Sequence, residues 1–143
     1  MLNEIYNRRI LELAAHIPCM GRLDHPMATA TRQSKLCGST VTVDLDMQDG
    51  RVSRFAHDVK ACALGQASSS IMARHIVGRT GDELRLLLAQ VTAMLKEQGP
   101  PPGPPWEDVA VLEPVRAYKA RHASTLLTFE AVVEAVEKIE QTA

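Results

Sequence analysis

The chain has 143 residues, long enough to bury one continuous core, and its 3% aromatic content means that core must be aliphatic and alanine-rich. With 16 Lys and Arg against 17 Asp and Glu, the formal net charge is −1 and no basic block occurs, which argues against a nucleic-acid partner or an anionic membrane surface. No apolar run approaches the roughly 20 residues of a membrane span, and Met1-Leu2-Asn3-Glu4 lacks the basic-then-apolar layout of a signal peptide, so a cytoplasmic location is expected.

In chain order, Leu2 to Ala15 reads as a helix, with Leu2, Tyr6, Ile10 and Leu13 on one side. Pro18 and Gly21 end it in a loop that also holds Cys19, Asp24, His25 and Pro26. Three strands are expected next. Met27–Arg32 alternates weakly, Ser39–Met47 places Val41, Val43, Leu45 and Met47 on one face, and Arg51–His57 follows an Asp49-Gly50 turn. The connections are too short for parallel crossovers, so the strands form an antiparallel meander with one core face and one polar face. From Cys62 the period becomes helical as far as Val77-Gly78. Thr80-Gly81-Asp82-Glu83 then announces a second helix by a capping box, with Leu84, Leu87, Leu88, Val91 and Leu95 as its stripe. The Pro/Gly-rich stretch 99–105 should be an exposed, stiffened connector. A brief segment around Trp106 to Leu112 leads to a last helix over about Pro114 to Ile139. The expected class is α+β, a three-stranded antiparallel sheet with helices packed on one face and a helix-rich C-terminal half, within a single domain over 1–143.

Chemistry concentrates around Cys62. Lys60-Ala61-Cys62-Ala63-Leu64-Gly65-Gln66-Ala67-Ser68-Ser69-Ser70 sets a thiol at a helix start, where backbone N–H groups and the dipole favour a thiolate, and follows it with small residues that let other segments approach. The alternative is that Cys62 is a buried small hydrophobe. Three cysteines, Cys19, Cys37 and Cys62, are a poor disulfide framework and suit free thiols or metal ligands in a reducing compartment. Cys37 precedes the second strand and Cys62 follows the third. In a meander those two positions share one end of the sheet, so the two sulfurs can be neighbours. His122, at the last helical region, is the third candidate, and thiolate plus imidazole suits zinc or an iron–sulfur cluster. On its own, a histidine there is more commonly a surface or satisfied core residue. His16, His25, His57 and His75 are weaker candidates, and nothing in the spacing ties Cys19 to the others. No nucleophile–base–orienter set for independent catalysis is present, so the chain is not expected to be an enzyme.

The combination of Tyr6, Pro18-x-x-Gly21, Cys37-Gly38, the Asp49-Gly50 turn, Cys62-Ala63-Leu64-Gly65-Gln66-Ala67-Ser68-Ser69-Ser70 and Gly78-Arg79-Thr80 resembles the U-type iron–sulfur cluster assembly scaffolds, the IscU, SufU and NifU N-terminal domain group. The resemblance covers nearly the whole chain, and the long stretch before the last helix looks more like SufU. It implies a scaffold on which a cysteine desulfurase delivers sulfur, a labile [2Fe–2S] cluster or iron is held, and recipient apo-proteins are served. In the SufU branch it implies instead a Zn²⁺ protein that accepts sulfur from its desulfurase. The ligands it implies here are Cys37, Cys62 and His122.

The chain departs from that pattern twice. Ser39 stands where the family usually has aspartate after Cys-Gly, and aligning Ala123-Ser124-Thr125-Leu126 with the usual Cys-Ala-Thr-Leu puts Ala123 in place of a third cysteine. Counted from Pro114-Val115-Arg116, that position falls near Lys119, and neither choice restores a thiol. Three strong donors leave a fourth position for water, Ser39, Cys19 or an external thiol. Three readings follow: a scaffold or carrier with a reduced ligand set; a zinc-bound sulfur acceptor, disfavoured because relay needs a free nucleophilic thiol; and a degenerate scaffold that keeps only partner contacts.

Overall fold

The computed structural model describes residues 7–36 and 38–142. Its helices are α1 (Arg8–Ala15), α2 (Ala63–His75), α3 (Gly81–Lys96) and α4 (His122–Thr142), and its strands are β1 (Ala28–Gln33), β2 (Thr40–Gln48) and β3 (Arg51–Lys60). The sheet has the order β1-β2-β3, antiparallel throughout, as the short connections require. Asp49 and Gly50 both have positive φ, +55° and +76°, which is the two-residue hairpin geometry that matches the twist of the strands.

Val41, Val43 and Leu45 of β2, with Val52 and Phe55 of β3, face the helices and are buried. One hydrophobic cluster takes side chains from every described helix and strand, and from the 3₁₀ segment Glu107–Ala117. Packing on α2, α3 and α4 supplies most of it, with α4 lying against β1 and β2. The free edge of β3 is covered at two places. Gly21 N–H donates to the His57 carbonyl (2.8 Å) and His57 N–H to that of Cys19 (3.2 Å), while Val52 and residues 78–79 exchange bonds of 2.8–2.9 Å nearer its start. Covering the edge removes a template for pairing with other chains.

Four expectations need correction. The first helix does not run unbroken from Leu2: Asn7 is extended, and its side chain accepts from Ile10 N–H (3.0 Å), so Asn7 caps a helix that begins at Arg8. Tyr6 lies outside the described residues. The last α-helix begins at His122 rather than Pro114, because Pro114 offers no N–H and Tyr118 leaves helical dihedrals (φ −122°, ψ 81°), so the preceding stretch stays 3₁₀. The Pro/Gly-rich stretch is not simply exposed: Pro102 is buried, and Trp106 beyond it joins the core. The outer sheet face is not simply polar and solvated either. The chain between α1 and β1 crosses it, and Asp44, fully buried, accepts from Arg22 Nε (2.7 Å) and Nη2 (3.1 Å), Leu23 N–H (3.0 Å) and Thr29 Oγ1 (2.6 Å). The capping box at Thr80 is formed in both directions, each bond 3.1 Å.

Candidate metal centre

Cys62 is the N-cap residue of α2, with extended backbone (φ −68°, ψ 173°) and a carbonyl that accepts from Gln66 N–H (2.9 Å). Its side chain does not cap the helix, which leaves the thiol at the helix start. It is half-buried and free. Its Sγ donates to Ser124 Oγ at 3.6 Å, and Ser124, buried on the first turn of α4, in turn donates to the Arg121 carbonyl (3.2 Å). The two helix N-termini meet here because position 65 is glycine. A Cβ there would lie 2.7 Å from that of Ala61 and 3.2 Å from the Ser124 carbonyl oxygen. The small residues after Cys62 therefore do admit a neighbouring segment.

His122 opens α4 and is 7% exposed. Its Nε2 lies 3.1 Å from both the Val115 and Arg116 carbonyl oxygens, two acceptors that require Nε2 to carry the proton. In the neutral ring Nδ1 then keeps its lone pair, and it makes no hydrogen bond among the described residues. A ring oriented by a backbone carbonyl on one nitrogen, with the other available, is the usual arrangement of a ligating histidine.

Cys37 lies outside the described residues. Its flanks belong to the β1–β2 connection, which Ser34 N–H to the Ser39 carbonyl and Gly38 N–H to the Ser34 carbonyl close at 2.9 Å each. Because Thr40 pairs with both Gln33 and Lys60, that connection and the β3–α2 junction share one end of the sheet. Ser39 is buried. Cys19 is exposed, with φ +62°, and its carbonyl is bonded to His57, three residues short of the end of β3 and so about 10 Å back along the strand. Among the described residues, no three His, Cys, Asp or Glu side chains are grouped closely enough to hold a metal ion.

The remaining histidines do other work. His57 is fully buried, its Nε2 2.8 Å from the Pro18 carbonyl, and burial lowers its pKa despite that bond and the nearby Asp58. His75 packs edge-on against Trp106. Sequence reasoning did not give Ser124 a role, although its place two residues after His122 was a clue. Nor did it find the cleft of about 810 Å³ beside His122 and Ala123, which is built by the far ends of β1 and α3 and has no local signature.

The sequence model of the NifU-like N-terminal domain matches residues 5–125. The chain is 26% identical to the iron–sulfur cluster assembly scaffold protein IscU of Thermotoga maritima over 137 residues, 96% of each chain. The crystal structure of a nitrogen-fixing NifU-like protein (N-terminal) from Brucella abortus superimposes with a TM-score of 0.97 at 58% identity, covering 99% of both chains. A Fervidobacterium islandicum protein, provisionally named a SUF-system iron–sulfur cluster assembly scaffold, shares the fold with a TM-score of 0.86 at 19% identity, over 94% of this chain and 98% of that one. With a match across most of its length and a solved relative at that identity, the chain belongs to the NifU-like N-terminal domain family.

Proposed function

We propose that this protein, one domain over 1–143, is a non-catalytic scaffold for iron–sulfur cluster assembly in the cytoplasm, carrying a labile [2Fe–2S] cluster or its iron as cargo on Cys37, Cys62 and His122. A cysteine desulfurase is the sulfur source and apo-proteins are the recipients. The observation that carries this reading is the meeting of two helix N-termini: Cys62 Sγ is 3.6 Å from Ser124 Oγ, two residues from a histidine whose Nε2 is already committed to carbonyls. The donor set suits the cargo, since thiolates with one imidazole bind iron–sulfur centres and zinc alike. The family membership and the 26% identity to a named scaffold over 96% of each chain support it further.

Anaerobic reconstitution with Fe²⁺ and sulfide tests the reading. The expected result is a visible-absorbing species that is lost in Cys37→Ala and Cys62→Ala, weakened in His122→Ala and retained in Cys19→Ala, whose backbone is tied to the middle of the β3 edge. Unchanged iron and sulfide in the first two variants would refute it. Stoichiometric zinc with stimulation of a desulfurase would instead favour the sulfur-acceptor role.

A further inference from the structure

The two edges of the sheet are finished differently. On β3 the outward backbone groups of Val52 and His57 are taken by residues 78–79 and 19–21. On β1 one outward group is taken, where Lys138 Nζ donates to the Thr29 carbonyl (2.8 Å). A carbonyl reached from outside cannot point at β2, so this bond gives the parity of the strand. Thr29, Thr31 and Gln33 turn their N–H and C=O groups outward, and Ala28, Ala30 and Arg32 bond to β2. The short contacts of Thr31 Oγ1 with Thr42 Oγ1 (3.0 Å) and of Thr29 Oγ1 with Asp44 (2.6 Å) agree, because opposed residues that share no backbone bond lie closer. Thr31 and Gln33 are exposed, and their outward backbone groups have no partner among the described residues. Such a row is a template for a further strand.

This open half of β1 leads into the cleft of about 810 Å³, which Arg32 and Gln33 line together with Lys96 and Lys119. The charge there is not balanced. Arg32 is shared with Glu134 (3.2 Å) and Glu130 (3.9 Å), and Arg116 with the Gly99 carbonyl (2.9 Å) and Glu113 (3.4 Å). Lys96 and Lys119 are exposed and have no carboxylate partner among the described residues.

We propose that the open half of β1 and this cleft bind an extended acidic segment of a partner protein, which adds as a fourth strand along Thr31–Gln33 and brings its carboxylates to Lys96 and Lys119. Main-chain bonds give such a segment its affinity and register, and the two ammonium groups select acidic over basic side chains. Lys138, seated on the Thr29 carbonyl, confines the added strand to the end of β1 nearest the cleft. No metal takes part, so the proposal and the scaffold reading stand or fall separately.

The metal-free protein tests this with a short peptide of alternating glutamate and valine as the probe. Amide hydrogen exchange followed by NMR is expected to show Thr31 and Gln33 open in the free protein and protected once the peptide is added. The same peptide with lysine for glutamate does not protect them. By fluorescence anisotropy, Lys96→Glu/Lys119→Glu weakens binding of the acidic peptide about tenfold, the factor that two exposed charge contacts supply. Thr31→Pro removes an outward N–H without breaking a bond to β2, and weakens binding about fivefold, the worth of one hydrogen bond. No added protection at Thr31 and Gln33, equal binding of the lysine peptide, or a double lysine variant that behaves as wild type overturns the proposal. Protection that grows with protein concentration in the absence of peptide assigns the edge to a second copy of the chain and overturns it as well.

Discussion

Gly65→Ala is the most informative single change, because two physical effects predict opposite signs. In a solvent-exposed helix interior, alanine for glycine stabilises by about 1 kcal/mol. At position 65 the added methyl would lie 2.7 Å from Ala61 Cβ and 3.2 Å from the Ser124 carbonyl oxygen, against a comfortable carbon–carbon separation of about 3.5–4.0 Å. Neither neighbour is the tip of a flexible chain, so relief requires Ala61 to shift where the chain enters α2 and the first turns of α2 and α4 to separate. Overpacking of this kind costs about 1–3 kcal/mol, which leaves a net destabilisation of about 1 kcal/mol and a fall in Tm of roughly 3 °C for a domain of this size. The separation also opens the Cys62–Ser124 contact, so cluster or cobalt retention should fall more than global stability does. Urea denaturation, thermal unfolding and metal retention after desalting measure the three quantities. A variant stabilised by about 1 kcal/mol with unchanged metal retention would refute the close approach of the two helices at this site.

Two further outcomes concern pH. Burial pushes the Asp44 carboxyl up, but the bonds from Arg22, Thr29 and Leu23 N–H outweigh it and hold its pKa below the ordinary 3.8. Its contribution is thus complete above that value and is lost as pH falls through the folded pKa, so Asp44→Asn should flatten the acid limb of the stability profile below about pH 4. Asp44→Ala, which strands the Thr29 hydroxyl and Leu23 N–H, should cost about 2–4 kcal/mol in urea denaturation. His57 is held neutral by burial, with a pKa below 6.5 and its Nδ1 buried without a partner among the described residues. The unfolded chain takes up that proton first, so stability should decline as pH drops below about 6.5, and His57→Gln should remove that part of the decline.

Local chemistry made much of the fold readable. Alternation marked β2, the Asp49-Gly50 pair fixed the hairpin, and Thr80 with Glu83 marked the start of α3, because each of these signals acts within a few residues. The errors arose where distant segments decide. The sequence reads as a last helix starting near Pro114, yet the chain before His122 forms 3₁₀ turns, of which Glu107–Ala117 packs against α3. Asp44 read as a solvent-facing strand residue, and only the crossing of Arg22 and Leu23 over the sheet turned it into a buried acceptor. For the candidate site, Cys62 and His122 were legible as donor types, whereas Ser124 was not, since its relevance lies in what it stands beside.

By itself, then, the sequence supplied candidate donors and one element end, a thiol at the N-cap of α2, together with an imidazole in the last helical region and a family pattern lacking one cysteine, while the start of α4 at His122 was set by the fold. Tertiary structure alone decided how they are presented. Gly65 brings the two helix starts into contact, the Val115 and Arg116 carbonyls orient His122, and the ends of β1 and α3 shape a cleft over Ala123. The physical reason is one of range, because capping and periodicity are set by neighbours in sequence, while close approach and ring orientation are set by segments that meet only after the core has formed.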